Sequence, residues 1–145
     1  TKAGFKILLS PRIRSRYYVR ASYHRLFRQY RQYGFWKVYV NKLHGGITTL
    51  RQLVPALWVA YLLLGWIVAL LHPVLGALYA GGIALYVLAA VASAVRAASV
   101  PGDIPGVLLA FLTLHFAYGI GYLQGVWELL VLGREPGVGD RRSSR

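Results

Sequence analysis

QLVPALWVAYLLLGWIVALLHPVLGALYAGGIALYVLAAVASAV, residues 52–95, contains no Asp, Glu, Lys or Arg. A soluble domain rarely runs so far without charge; a chain in hydrocarbon does so routinely. His72-Pro73 reads as a tight turn, which divides the stretch in two. One span covers about residues 53–71, and the next covers about 74–95 and stops at Arg96. After the loop Ser99-Val100-Pro101-Gly102-Asp103, a third covers about 104–125 and stays uncharged until Glu128. Pro105 suits its first turn. Each span is close to the roughly 20 residues that cross about 30 Å of hydrocarbon.

The rest of the composition agrees. The chain has 145 residues, 57% of them hydrophobic, a formal net charge of +13, no Cys and no Met. The apolar fraction excludes a disordered basic tail. The lack of Cys excludes a disulfide-stapled domain and a Cys-based zinc module. A chain that starts at Thr1 and holds no Met reads as processed or as a fragment. No signal peptide is visible, since Ile7-Leu8-Leu9 is the longest apolar run of a basic segment.

Four zones follow. Residues 1–51 carry 12 of the 17 Lys and Arg residues and no acid. Within them, 1–20 hold a short strand at 5–9, ended by Ser10-Pro11, and an extended piece at 16–20. Residues 21–51 read as basic amphipathic helices. Ser22 is the N-cap, and Tyr23, Leu26, Phe27, Tyr30 and Tyr33 form one apolar stripe. Gly34 interrupts the pattern, which restarts with Trp36, Tyr39, Val40 and Leu43 and closes at Gly45-Gly46. Residues 52–132 are the transmembrane zone and 133–145 a polar tail. Two basic helices rich in Tyr and Trp suit a membrane–water interface, where each Lys or Arg near an anionic surface adds about 1 kcal/mol. The alternative is a solvated face packed on a soluble domain. The fold class is therefore mainly α: a membrane protein with interfacial helices followed by about three transmembrane helices.

The basic zone is expected on the cytoplasmic side of the cell membrane and the His72-Pro73 turn outside. The last span either crosses or bends back over 119–132, because the tail carries Arg134, Arg141, Arg142 and Arg145. Helix contacts are expected at small residues. The second span supplies a dense face with Gly76, Ala80, Gly81, Gly82, Ala89, Ala90, Ser93 and Ala94; the third supplies Gly121-x-x-x-Gly125.

Catalytic constellations are missing from these residues. Asp103, Glu128, Glu135 and Asp140 are the acids, and neither a metal-ligand cluster nor a phosphate-binding glycine loop is present. Glu128 is placed at the end of a span and given no role. His115, beside Tyr118 within the third span, is either a functional ionisable group or a neutral link between helices. The strongest candidates lie in RLFRQYRQYGFWK, residues 25–37. Arg28 and Arg31 match phosphate oxygens with their guanidinium forks. Tyr33 and Trp36 suit stacking on a sugar or lying along a lipid chain, or they serve as interfacial anchors alone.

Several words of sequence carry a family resemblance. They are AGFKILLSP (3–11), FRQY (27–30), YGFWK (33–37), RQLVPAL (51–57) and LHFAYGIG (114–121). In this order and spacing they resemble the C-terminal membrane region of family 2 glycosyltransferases of the succinoglycan-type exopolysaccharide group. The resemblance implies that residues 1–20 end a cytoplasmic α/β (GT-A type) catalytic domain. It implies a nucleotide-sugar donor, a divalent metal (Mg or Mn) held by an Asp-x-Asp motif, and an acidic base for inverting transfer to a lipid-linked acceptor. Metal and base motifs are expected upstream of this chain, so the isolated 145 residues are expected to be inactive. The family's Gln-x-x-Arg-Trp motif falls on Gln29, Gln32 and Tyr33, with Gln32 where Arg is expected. Arg28, Gln29, Arg31, Gln32, Tyr33 and Trp36 are thus the expected donor-diphosphate and acceptor contacts. The departure at Gln32 argues for single-sugar addition rather than processive synthesis. The rival class is a small non-enzymatic membrane protein whose basic arm binds anionic lipid or a protein partner. Nucleic acid is disfavoured, because the aromatics follow a helical stripe.

Overall fold

A computed structural model describes residues 4, 8, 14, 22–47 and 49–134. The strand expected at 5–9, the extended piece at 16–20 and the tail beyond Arg134 lie outside the described residues. Every regular element within them is helical. The order is α1 (Tyr23–Leu43), α2 (Val54–Ala69), α3 (Pro73–Ala97) and α4 (Ile104–Gly125). Single 3₁₀ turns lead into α2 (Leu50–Leu53) and α4 (Pro101–Asp103), and α4 runs on as a wider π-helical turn, Val126–Val131.

The ends of α1 follow local chemistry. Ser22 is extended, and its Oγ accepts from the Arg25 N–H at 3.4 Å. At the other end Gly45 takes φ +70°. The Gly46 N–H donates to Asn41 O at 3.0 Å and the Gly45 N–H to Lys42 O at 3.3 Å, a Schellman stop. Between these ends the helix is continuous. The expected break at Gly34 is corrected: Gly34 is buried inside one 21-residue helix. Its place is set by packing. A Cβ there would fall on the Tyr118 carbonyl and within 2.7 Å of Tyr122 N.

That contact belongs to a seam between α1 and α4, the most extensive helix pair in the molecule. The two helices run in the same direction. Tyr23 Oη donates to Gly106 O at 3.0 Å near their starts, and Lys42 Nζ donates to Leu129 O at 3.3 Å near their ends. Gly121 backs onto the Arg31 main chain, and a Cβ on Gly125 would sit 3.0 Å from Phe35 O. The buried positions of α1 are Gly34, Val38 and Asn41, spaced one turn apart. Tyr23 and Tyr33, from the expected apolar stripe, are exposed. The core forms where α2 begins against this seam: Val38, Ala56, Tyr122 and Leu129.

α2 and α3 form an antiparallel hairpin. His72 caps α3 by accepting from the Val74 N–H through Nδ1 at 3.2 Å, with Pro73 in the first turn. Leu63, Leu64, Ile67 and Val68 of α2 and Leu78, Leu85, Leu88 and Val95 of α3 are exposed. So large an apolar surface needs a non-aqueous cover. Among the described residues three segments are long and apolar enough to cross a membrane: Leu50–Ala69, Pro73–Ala97 and Pro101–Val131. They make the chain a multi-pass membrane protein by length and composition.

Candidate functional site

The glycine seam makes the site. With Gly121 pressed on the Arg31 main chain, the next residues on that face of α4 are Gln124 and, one turn on, Glu128. They stand against a face of α1 made by His24, Phe27, Arg28, Arg31, Gln32, Phe35 and Trp36. Together these nine side chains line a groove of about 490 Å³.

A hydrogen-bonded chain crosses it. Arg31 Nε donates to Gln124 Oε1 at 3.2 Å, and Gln124 Nε2 donates to Glu128 Oε1 at 2.8 Å. The amide therefore links a guanidinium to a carboxylate with both its ends used in the correct sense. Among the described residues the Arg31 side chain makes this one hydrogen bond, through Nε. Its two Nη groups make no further hydrogen bond among the described residues. Phe35 and Trp36 meet edge to face at 5.8 Å and give the groove an apolar wall.

Four of the expected contacts come together here: Arg28, Arg31, Gln32 and Trp36. Gln29 and Tyr33 do not line the groove. They sit one turn apart, and Gln29 Nε2 donates to Tyr33 Oη at 2.7 Å. Glu128, given no role from sequence, is a groove residue. So is Gln124, which sequence reading passed over; the signal for both was their spacing from Gly121, at i+3 and i+7 on one helix face.

His115 lies elsewhere. Its Nδ1 is 3.0 Å from Tyr86 Oη of α3. Tyr118, its expected neighbour, stacks on Tyr122 at 6.1 Å and lends its carbonyl to the Gly34 contact. Tyr86 stacks on Trp58 at 4.0 Å, Trp58 on Tyr61 at 5.5 Å, and Tyr61 packs on Tyr79 at 5.1 Å. His115 thus ends an aromatic file that joins α2, α3 and α4, the arrangement of a link between helices.

The resemblance places its divalent metal upstream of this chain, and the described residues of the groove do not themselves make a ligand set for one. Among the described residues no three His, Asp or Glu side chains gather. Glu128 is the one carboxylate among the described residues that line the groove, and it shares the space with two guanidinium groups.

The chain matches no protein-family model, no curated protein and no solved structure. The glycosyltransferase resemblance therefore rests on the sequence words quoted above.

Proposed function

We propose that this chain is the membrane-anchoring, acceptor-side region of an inverting glycosyltransferase that moves a sugar from a nucleotide-sugar donor to a lipid-linked or polysaccharide acceptor. The observation that carries the reading is the position of the groove. Its basic and aromatic wall belongs to α1, while its opposite wall is the end of the apolar α4, which α1 accompanies from Gly106 to Leu129. Such a site holds a ligand that is charged at one end and apolar at the other.

In this reading the basic zone faces the cytoplasm and the apolar hairpin holds the enzyme on the cell membrane. Enzyme and acceptor then meet on one surface, and orientation supplies much of the rate gain of a bimolecular transfer. Arg28 and Arg31 bind phosphate oxygens of the acceptor or the departing nucleotide. Trp36 and Phe35 take the first apolar atoms or a sugar face. The transfer step itself is assigned to residues outside this chain.

The test is sugar transfer from labelled nucleotide sugars to membrane lipid. It compares membranes carrying the longest reading frame that includes this chain with membranes carrying these 145 residues alone. Transfer by the longer product and none by the shorter is expected. Transfer by the purified 145 residues overturns the assignment of catalysis elsewhere. No transfer by either, with a start codon close to Thr1, replaces the enzyme with the non-enzymatic membrane protein.

A further inference from the structure

We propose that Gln124 of α4 and Glu128 of the π-helical turn that follows it are positioning residues for Arg31. They aim its guanidinium into the α1–α4 groove and temper its charge, so that the groove grips the phosphate headgroup of an amphiphile reversibly. The proposal rests on the functional reading above only for the biological source of that amphiphile.

The argument starts from Arg31. A long, exposed Arg on a helix samples many rotamers, and ordering it costs on the order of 2 kcal/mol of side-chain entropy. Here part of that cost is met before any ligand arrives. Gln124 Oε1 fixes Nε, which leaves the two Nη groups as a planar pair of donors, the geometry that matches two phosphate oxygens. Gln124 in turn is held by Glu128, so its amide cannot rotate to offer nitrogen to the guanidinium. Gln124 and Glu128 lie four residues apart where α4 passes into its π-helical turn, on a segment packed on α1 through Gly121 and Gly125.

Glu128 has a second effect, of opposite sign. Arg31 and Glu128 line one groove, so a phosphate held by the Arg31 guanidinium also meets a negative charge. The carboxylate weakens the anion's hold. A site that must release its ligand needs that compromise. The apolar lining, from Phe27, Phe35 and Trp36, favours a phosphate that carries a hydrocarbon chain over the free ion.

The signs of three substitutions follow. Glu128→Gln removes the charge but keeps an amide oxygen to accept from Gln124, so the relay survives and binding tightens. Gln124→Leu removes the relay and frees Arg31, so binding weakens. Arg31→Gln removes the donors.

The experiment is isothermal titration of octyl phosphate into the 145-residue chain in neutral maltoside micelles, against micelles alone. Inorganic phosphate and octyl glucoside are the parallel probes. Octyl phosphate should bind, with Arg31→Gln about tenfold weaker and Gln124→Leu weaker by a smaller factor. Glu128→Gln should be about threefold tighter, the change expected for one charge removed near a surface. Inorganic phosphate should bind more weakly than octyl phosphate, and octyl glucoside should not compete. Arg31→Lys, which keeps the charge and loses the fork, should fall between wild type and Arg31→Gln, and it guards against an unfolded Gln variant. Glu128→Gln binding no tighter than wild type overturns the tempering role. Arg31→Gln binding unchanged overturns the site, and inorganic phosphate binding as well as octyl phosphate overturns the amphiphile. Octyl phosphate binding as described, with no sugar transfer from the longer reading frame, keeps this inference and discards the glycosyltransferase reading.

Discussion

Along the α1–α4 seam, backbone meets backbone; between α2 and α3, aromatic rings fill the gap. Gly34, Gly121 and Gly125 let the first pair approach until main-chain atoms touch. In the second pair rings intervene: a Cβ on Gly65 would meet the Tyr79 ring and one on Gly82 the Tyr61 ring. Tyr61 Oη donates to Tyr79 O at 2.8 Å and Tyr79 Oη to Leu62 O at 3.2 Å, so each ring also supplies a polar link across the hairpin. The difference shows that small residues matter by what they face. α3 is dense in Gly and Ala, and part of that face is used: Ala90 and Ala94 are buried and a Cβ on Gly82 would fall on the Tyr61 hydroxyl, yet one on Gly81 would meet nothing within 4 Å. The single Gly121-x-x-x-Gly125 pair, a sparser pattern, carries the main contact of the fold.

Substitutions on the two sides sharpen that contrast. Gly121→Val puts branched carbon into the Arg31 main chain and should cost about 3 kcal/mol, the upper range of overpacking. Reversible unfolding in mixed micelles measures it, and a loss below about 0.5 kcal/mol is too small for a seam built on backbone contact. Tyr61→Phe keeps the ring and drops its bond to Tyr79 O, so it should cost about 1 kcal/mol in the same measurement. Tyr86→Phe removes the bond to His115 and leaves the stack on Trp58; about 0.6 kcal/mol is expected, typical of interhelical bonds in a membrane. A His115→Ala, Tyr86→Phe double-mutant cycle then gives the pair's own share. Gly81→Ala should cause no loss of stability, and a gain of up to about 1 kcal/mol, because the site is open and Ala is the better helix former. A large loss there would mean that α3 has a partner helix on its small-residue side.

The apolar spans were legible because uncharged length has one common physical cause. The third was read at 104–125, and α4 runs over Ile104–Gly125. The ends of α1 were legible because caps act locally: Ser22 and Gly45-Gly46 do what their side chains predict. Gly34 was misread for the same reason. Local propensity makes a helical glycine a weak point, and only the Tyr118 carbonyl, 84 residues along the chain, shows why it is there. The groove was half legible. Arg28, Arg31, Gln32 and Trp36 announce themselves by residue type. Gln124 and Glu128 gain meaning only from the Arg31 contact, and Tyr86 only from His115. Pairing across helices is not written in either partner's own segment.

The seam also joins the first described helix to the last, and that has a consequence for biogenesis. About 80 residues separate the end of α1 from the end of α4. At roughly 5–20 residues per second, the ribosome needs on the order of 4–16 s to supply the partner after α1 emerges. Through that interval Gly34 lacks Tyr118 and Tyr122, and Val38 lacks Tyr122, Gly125 and Leu129. A basic helix lined with Tyr and Trp is suited to wait on an anionic bilayer surface. The chain has no Cys, so a single Val38→Cys probe can time the transfer. Nascent chains arrested before Gly119 should leave it open to a soluble thiol reagent, and chains arrested well past Val131 should protect it. Equal labelling at both points would show that α1 docks without α4. The helix thus has two successive hosts, a lipid surface during synthesis and a glycine track once the last segment has been made.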